Sequence, residues 1–230
     1  MNVYGTISRR VLLNYRADPA VVRKLVPPIF ELDCYGGYAM VGVCFLSIKK
    51  VNIFPFPFGH NSDNAAHRIA VIYNGKHGVY IPRRDTGSTI NSFIGGRIFP
   101  GEHHHSQFNI EDSVREIKIR ISNKKVGIAN VNALEGEFDS NSIFKKLEIA
   151  SLFYRNGSVG YSRSIDGARL DGLELVPNCW NAVGATRMSC SSYYYNDASL
   201  FPPSSIEFDN ILVMRNIIHY WKPLPSISVS

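Results

Sequence analysis

Apolar and polar residues alternate with a period of two along most of this chain, which predicts strands. Residues 7–15 place Ile7, Arg9, Val11, Leu13 and Tyr15 on one face, and Ser8, Arg10, Leu12 and Asn14 on the other. Residues 38–48 are apolar at almost every position, as in a strand buried on both faces. Residues 65–73 and 79–84 read as a hairpin turning at 74–78. Residues 115–121 alternate cleanly, with Ile117, Ile119 and Ile121 inward and Glu116, Lys118 and Arg120 outward. Further strands are predicted at 126–134, 160–163, 170–176, 185–195 and 211–221.

Helical spacing occurs twice. Asp18 and Pro19 suit an N-cap and a first helical position, with Val21, Val22, Leu25 and Val26 as the apolar stripe and Pro27-Pro28 as the stop. Residues 142–155 carry Ile143, Leu147, Ala150 and Tyr154 at helical spacing, closed by Asn156-Gly157. Alternating Phe and Pro over 51–59 read as an irregular loop or an edge. The expected architecture is mainly β: a single antiparallel β-barrel of about ten strands with two short helices, with residues 1–230 in one domain.

Composition narrows the class. Hydrophobic residues make up 45% and charged residues 19%, which is globular. The net charge of +6 is scattered, with no basic block, so it reads as solvated surface rather than a nucleic-acid footprint. None of the cysteines Cys34, Cys44, Cys179 and Cys190 forms a C-x-x-C pair. No signal-peptide pattern is present, and the longest apolar run is shorter than the ~20 residues that span a bilayer. The expectation is a cytoplasmic protein with reduced thiols, no nucleic-acid or membrane partner and no cofactor; a homo-oligomer stays open.

Candidate chemistry concentrates in residues 81–108, IPRRDTGSTINSFIGGRIFPGEHHHSQF. As strand residues, His103 and His105 share a face with Gln107, and Glu102 is adjacent. A His-x-His pair can supply two ligands to Zn or Fe. Gly96, His103, His105 and Glu111 approach the first motif of the cupins, with gaps slightly long and no second half of the motif. The bland alternative is a histidine-rich strand with one member in the core. Arg83 and Arg84 adjoin Asp85; one arginine pairs with it as a support, and the other is free to clamp a carboxylate. Arg97, after Gly95-Gly96, is a second anion-binding candidate. His67, Arg215 and His219 interrupt otherwise apolar faces, either as satisfied core groups or as the lining of a cavity. There is no G-x-S-x-G elbow, P-loop or dinucleotide fingerprint.

The order of several short motifs resembles the acetoacetate decarboxylase-like superfamily, closest to its uncharacterised bacterial branch carried as a domain of unknown function. These are Tyr15-Arg16-Ala17-Asp18-Pro19 with Leu25-Val26-Pro27-Pro28, Gly78-Val79-Tyr80, Gly95-Gly96-Arg97-Ile98-Phe99-Pro100, Gly157-Ser158-Val159-Gly160-Tyr161-Ser162, Met214-Arg215 and His219-Tyr220-Trp221. The resemblance implies a β-barrel with a small-molecule pocket. True decarboxylases of that superfamily form a Schiff base on a lysine whose pKa a second lysine lowers. Their lysine pair follows the proline matching Pro100; here Gly101, Glu102 and His103 follow it.

The expected function is therefore binding of a small organic anion, a keto or carboxylic acid, with lyase-type proton transfer that does not use a Schiff base. Glu102, His103 and His105 would supply acid–base groups. Arg83, Arg84 and Arg97 would hold the anion, with His67 and His219 also lining the site. Two alternatives remain: a non-catalytic ligand-binding protein, and a metal-dependent barrel enzyme using His103 and His105.

Overall fold

A computed structural model describes residues 3–51, 60–88, 100–124 and 126–229. Its frame is a trio of long strands. β1 (Val3–Ala17) pairs antiparallel with β14 (Ile206–Pro223) along one edge and with β4 (Tyr38–Val51) along the other. Val11, Leu12 and Leu13 are consecutive and fully buried, so both faces of β1 meet packed side chains. One core holds Val11, Leu13, Tyr15, Val41, Val43 and Phe45. The opposite core holds Leu12, Met40, Cys44, Leu212, Met214 and Trp221. We call these the first and second faces.

β4 continues into β5 (His60–Tyr73), which turns tightly into β6 (Lys76–Thr86). Asn74 and Gly75 both take positive φ (49° and 71°), the geometry that matches strand twist in a two-residue hairpin. β6 pairs parallel with β11 (Val159–Arg163), and β11 pairs antiparallel with β12 (Arg169–Pro177). β12 then meets the far end of β14, with Leu175 opposite Trp221. The pairings thus run around a ring of seven strands, β12-β11-β6-β5-β4-β1-β14. The near half of β14 also pairs with β13 (Val183–Ser192), which leads through β10 (Val126–Gly136) and β9 (Glu116–Asn123) to β8 (Gln107–Asp112). This arm supplies Ile117, Ile119, Ile121 and Val131 to the first face.

Fifteen strands are found among the described residues, where the sequence suggests about ten. The additional ones are β2 (Glu31–Leu32), β3 (Cys34–Tyr35), β7 (His103–His105), β8 and β15 (Ile227–Ser228). They are two to six residues long, and the sequence marks only the stretch holding β7 and β8, as a single histidine-rich run. Asp18 caps α1 (Pro19–Arg23), accepting from the Ala20 amide at 2.8 Å, with Pro19 opening the helix. The second helix, α2 (Leu147–Asn156), starts later than the expected residue 142. Lys145 is left-handed (φ 61°), and Asp209 binds the Ser142 hydroxyl and the Ile143 amide, which holds that stretch out of the helix. α2 packs Ala150 and Tyr154 into the second face.

Two faces shift from expectation. The register slips between Ile7 and Arg9, and Ile7 joins the second core rather than the face of Val11. The strand expected at 185–195 ends at Ser192, and Tyr195 folds back so that its hydroxyl reaches Gly42 O and Arg68 O. The loop expected at 51–59 lies almost wholly outside the described residues.

Gly42 marks the tightest approach between β1 and β4. A Cβ there would lie 2.3 Å from the Leu13 carbonyl oxygen, which is fixed in the sheet. Gly42→Ala is expected to cost about 1–3 kcal/mol by urea unfolding, the usual range for overpacking.

Candidate functional site

Arg83 and Arg84 are neighbours on β6, so their side chains leave opposite faces of the sheet. Arg83 lies on the first face, where it forms a bidentate pair with Asp85, Nε and Nη2 at 2.9 and 2.8 Å. Asp85 is buried and also accepts from the Ser106 hydroxyl at 2.8 Å. The Arg83 charge is therefore matched where it stands. His67 pairs opposite Arg83 and is fully buried. Its Nε2 lies 3.0 Å from the Ser192 hydroxyl, beside Tyr194 and Tyr195. Burial pushes its pKa down to about 4 despite Asp85, so it is a neutral core histidine at physiological pH.

The same face answers its other arginines with acids. Arg9 bonds Asp112 at 2.6 Å and the Ser47 hydroxyl. Arg215 takes Asp112 with two nitrogens and Glu135 as well. Burial works against the Asp112 charge, but hydrogen bonds from Arg215 and Arg9 outweigh it and hold the carboxyl below its usual pKa. The network borders a cleft of about 1110 Å3 that also takes in His105, Asp63 and Arg120. Arg215 both pairs with acids and lines this cleft.

The second face differs. Arg10, Arg68 and Arg84 all project there, beside Leu12, Ala70 and Ala66. Arg10 and Arg68 are buried, at 7% and 6% exposure, and Arg84 is partly buried. None forms an ion pair among the described residues, and the residues outside that set include no Asp or Glu. Arg68 Nη2 donates to Asn14 Oδ1, and its guanidinium lies 5.0 Å from the Tyr154 ring. Arg84 Nε donates to the Ser162 hydroxyl at 3.1 Å. Arg10 lies 5.1 Å from the Trp180 ring. Burial lowers the pKa of Arg68, and lowers that of Arg84 to about 10, which leaves Arg84 charged at neutral pH. Asp209, the buried acid nearby, is engaged by Ser142, the Ile143 amide, Asn210 and Arg16.

Two histidines join these arginines. His219 is buried, set edge-on to Trp221 at 4.1 Å, and burial pushes its pKa down to about 4, with Arg10 adding to the effect. His103 pairs in register with Arg84 across β6 and β7. Burial, then the Arg84 charge, lowers it to about 4 as well. Buried polar atoms here are unmatched: Arg10 Nε, Arg68 Nε and His219 Nε2 make no hydrogen bond among the described residues. Such groups are rare in folded proteins.

The expected acid–base trio does not assemble. Glu102 is exposed in a cleft of about 300 Å3 shared with Arg84, His104 and Ser162, and His105 is exposed at the larger cleft of Arg9 and Asp112. The histidines diverge because β7 pairs with β6 for only three residues before Ser106 turns inward. His104 Nδ1 lies 3.9 Å from Glu102. No three His, Cys, Asp or Glu side chains converge as metal ligands among the described residues. Arg97 lies outside them. Sequence reasoning passed over Arg68 and gave Arg10 only its place on a strand face. The available signal was a charge on the opposite face of a strand whose other face is already apolar.

A family model described as DUF2071, an uncharacterized conserved protein, matches residues 6–148. The chain has no match among curated proteins. Its fold is similar to an acetoacetate decarboxylase from Legionella pneumophila (13% identity, TM-score 0.63, covering 99% of this chain and 86% of that one). It is also similar to the enduracididine biosynthesis enzyme MppR complexed with pyruvate (10%, 0.66, covering 100% and 90%). A third likeness is to an acetoacetate decarboxylase-like enzyme from Sphingomonas wittichii (11%, 0.64, covering 100% and 92%). At these identities the likeness establishes the fold.

The two arginine environments predict opposite responses to the same change. Arg83→Met leaves Asp85 buried without its cation and should cost about 3–5 kcal/mol. Arg84→Met removes an unmatched charge and should leave the melting temperature unchanged or raise it. Differential scanning calorimetry of the two variants checks this.

The low pKa values of His67, His103 and His219 predict an acid-sensitive fold. Each binds a proton more readily unfolded than folded, so their contribution is complete above about pH 6.5 and declines as pH falls towards 4. Urea midpoints measured across that window should fall with pH, and His67→Phe should flatten the slope.

Proposed function

The chain belongs to the DUF2071 family, and from that premise we propose that its seven-strand ring acts as a barrel whose second face receives a small organic anion. The observation that carries this reading is the set of guanidinium groups on that face with no carboxylate opposite them. Removing a cation from water is costly unless it is paired. The like charges of Arg68 and Arg10 add mutual repulsion. An anionic ligand supplies the missing counter-charge, and its carboxylate fits the planar fork of arginine. Unmatched, electrostatically perturbed groups of this kind cluster at functional sites.

The ligand class is a keto or simple carboxylic acid. A structural neighbour, the enduracididine biosynthesis enzyme MppR complexed with pyruvate, supports that choice. Imine chemistry is not part of the reading. A Schiff-base lysine needs desolvation to stay neutral, and the described lysines are exposed or partly exposed. Any turnover is then lyase-type proton transfer, with His103 beside Arg84 as the proton carrier. A bound carboxylate would raise the pKa of His103 from its low resting value and bring it towards the working range. Glu102 and His105 are not required for this step. A purely binding role is the second reading, favoured by the weak basicity of His103 and His219 before ligand arrives.

Calorimetric titration with pyruvate, acetoacetate and oxaloacetate should show binding. Arg68→Gln or Arg84→Gln should weaken it by about 10–100-fold, the worth of a hydrogen bond to a charged group. Wild-type protein that binds none of these anions would end the proposal. Turnover of any one of them separates an enzyme from a binding protein. Borohydride treatment with a keto acid should leave the protein mass unchanged, and a lysine adduct would restore the imine route.

A further inference from the structure

The arginines of the second face are not aimed at one point. Around the ring the order is β11-β6-β5-β4-β1. Arg84 sits on β6 and is drawn outward to β11, where its Nε donates to Ser162. Arg68 sits on the adjacent strand, β5, yet is drawn the opposite way to β1, where its Nη2 donates to Asn14. Arg10 belongs to β1, on the Arg68 side. Two cationic poles result. One contains Arg84, with Ser162 and His103 beside it. The other contains Arg68 and Arg10, with His219.

Counting donors leads the same way. Each guanidinium carries five N–H donors, while a carboxylate offers four lone-pair sites and engages two forks at most. The hydrogen bonds described take one donor from Arg84 and one from Arg68, and Arg10 makes none. One carboxylate cannot serve guanidinium groups held apart by tethers to β11 and β1. A single phosphate has the same difficulty, because its oxygens surround one centre.

We infer that the ligand is a dicarboxylic acid, with one carboxylate held by Arg84 and Ser162 and the other by Arg68 and Arg10. The inference rests on the anion-binding reading above and adds the number and separation of the negative groups. The wall from Arg84 towards β1 carries small side chains: Ala66 pairs opposite Arg84, and Cys44 opposite Ala66, with Leu12 next in the row. That suits a short carbon chain joining two charged ends. Asn14 is a positioning residue in this scheme, because its amide oxygen sets the direction of Arg68.

The test compares acids that differ by one carboxylate: succinate against butyrate, and 2-oxoglutarate against 2-oxopentanoate, with inorganic phosphate as a third probe. Calorimetry on the full chain should show each diacid binding at least tenfold more tightly than its monoacid partner. Arg84→Gln should bring the diacid down to monoacid affinity while butyrate binding, through the Arg68–Arg10 pole, persists. That persistence also certifies that the variant is folded. Asn14→Ala should weaken the diacids by lowering occupancy of the same pole, and Asn14→Gln should not restore it, since the longer side chain moves the oxygen. Equal affinity for diacid and monoacid overturns the two-pole inference and leaves anion binding standing. Phosphate binding more tightly than either overturns it in favour of a single centre. Binding of no anion at all overturns both.

Discussion

The constraint from which this molecule follows is a strand buried on both sides. β1 runs between β14 and β4, with packed residues above and below. Solvent lies on neither face of its middle, so every charged side chain there enters one core or the other. Arg9 and Arg10 meet that constraint one residue apart and with opposite results. Arg9 finds Asp112 and Ser47, while Arg10 finds an indole ring and no acid. β6 repeats the arrangement with Arg83 and Arg84. In both strands the first-face arginine closes a network and the second-face arginine leaves one open.

That repetition separates stability from function within one fold. A matched arginine holds strands together, as Arg215 does by bridging the β8 residue Asp112 to the β10 residue Glu135. An unmatched arginine works against the fold, since its desolvation is not offset. The second face keeps such groups on β1, β5 and β6, and it adds histidines held neutral by burial. The fold tolerates this because α2, Leu12, Met40 and Leu212 supply an apolar surround on the same side.

The sequence disclosed the strands far better than the partners. Apolar patterning marked β1, β4, β5, β6 and β9 to β14, and the Asp18-Pro19 signal marked α1, because those features are local. The two-residue strands β2, β3 and β15 escaped because so few residues cannot show a period. Which acid meets which arginine was out of reach for another reason. Arg9 and Asp112 are 103 positions apart and meet only because the arm of β13, β10, β9 and β8 folds across the first face. The triple histidine drew attention by composition, yet pairing with β6 sent His103 towards Arg84 and left His105 outside. Arg68, beside His67 in an apolar run, was the quieter and more informative residue.

What keeps the second face cationic is the choice of amides over acids. Arg68 reaches Asn14, Asn14 donates to Asn210 at 2.8 Å, and Asn210 donates to Asp209 at 2.5 Å. A carboxylate at position 14 would fill the same space and pair directly with Arg68, which would secure the fold and quench the charge. The amide instead turns its oxygen to Arg68 and its NH2 to Asn210, so the orientation of each group is fixed by the next. Asp209 ends the chain with its own charge already shared among Ser142, the Ile143 amide and Arg16. The guanidinium is thereby aimed without being neutralised. A side chain held in that state has its direction set by the protein and no ion-pair partner among the described residues.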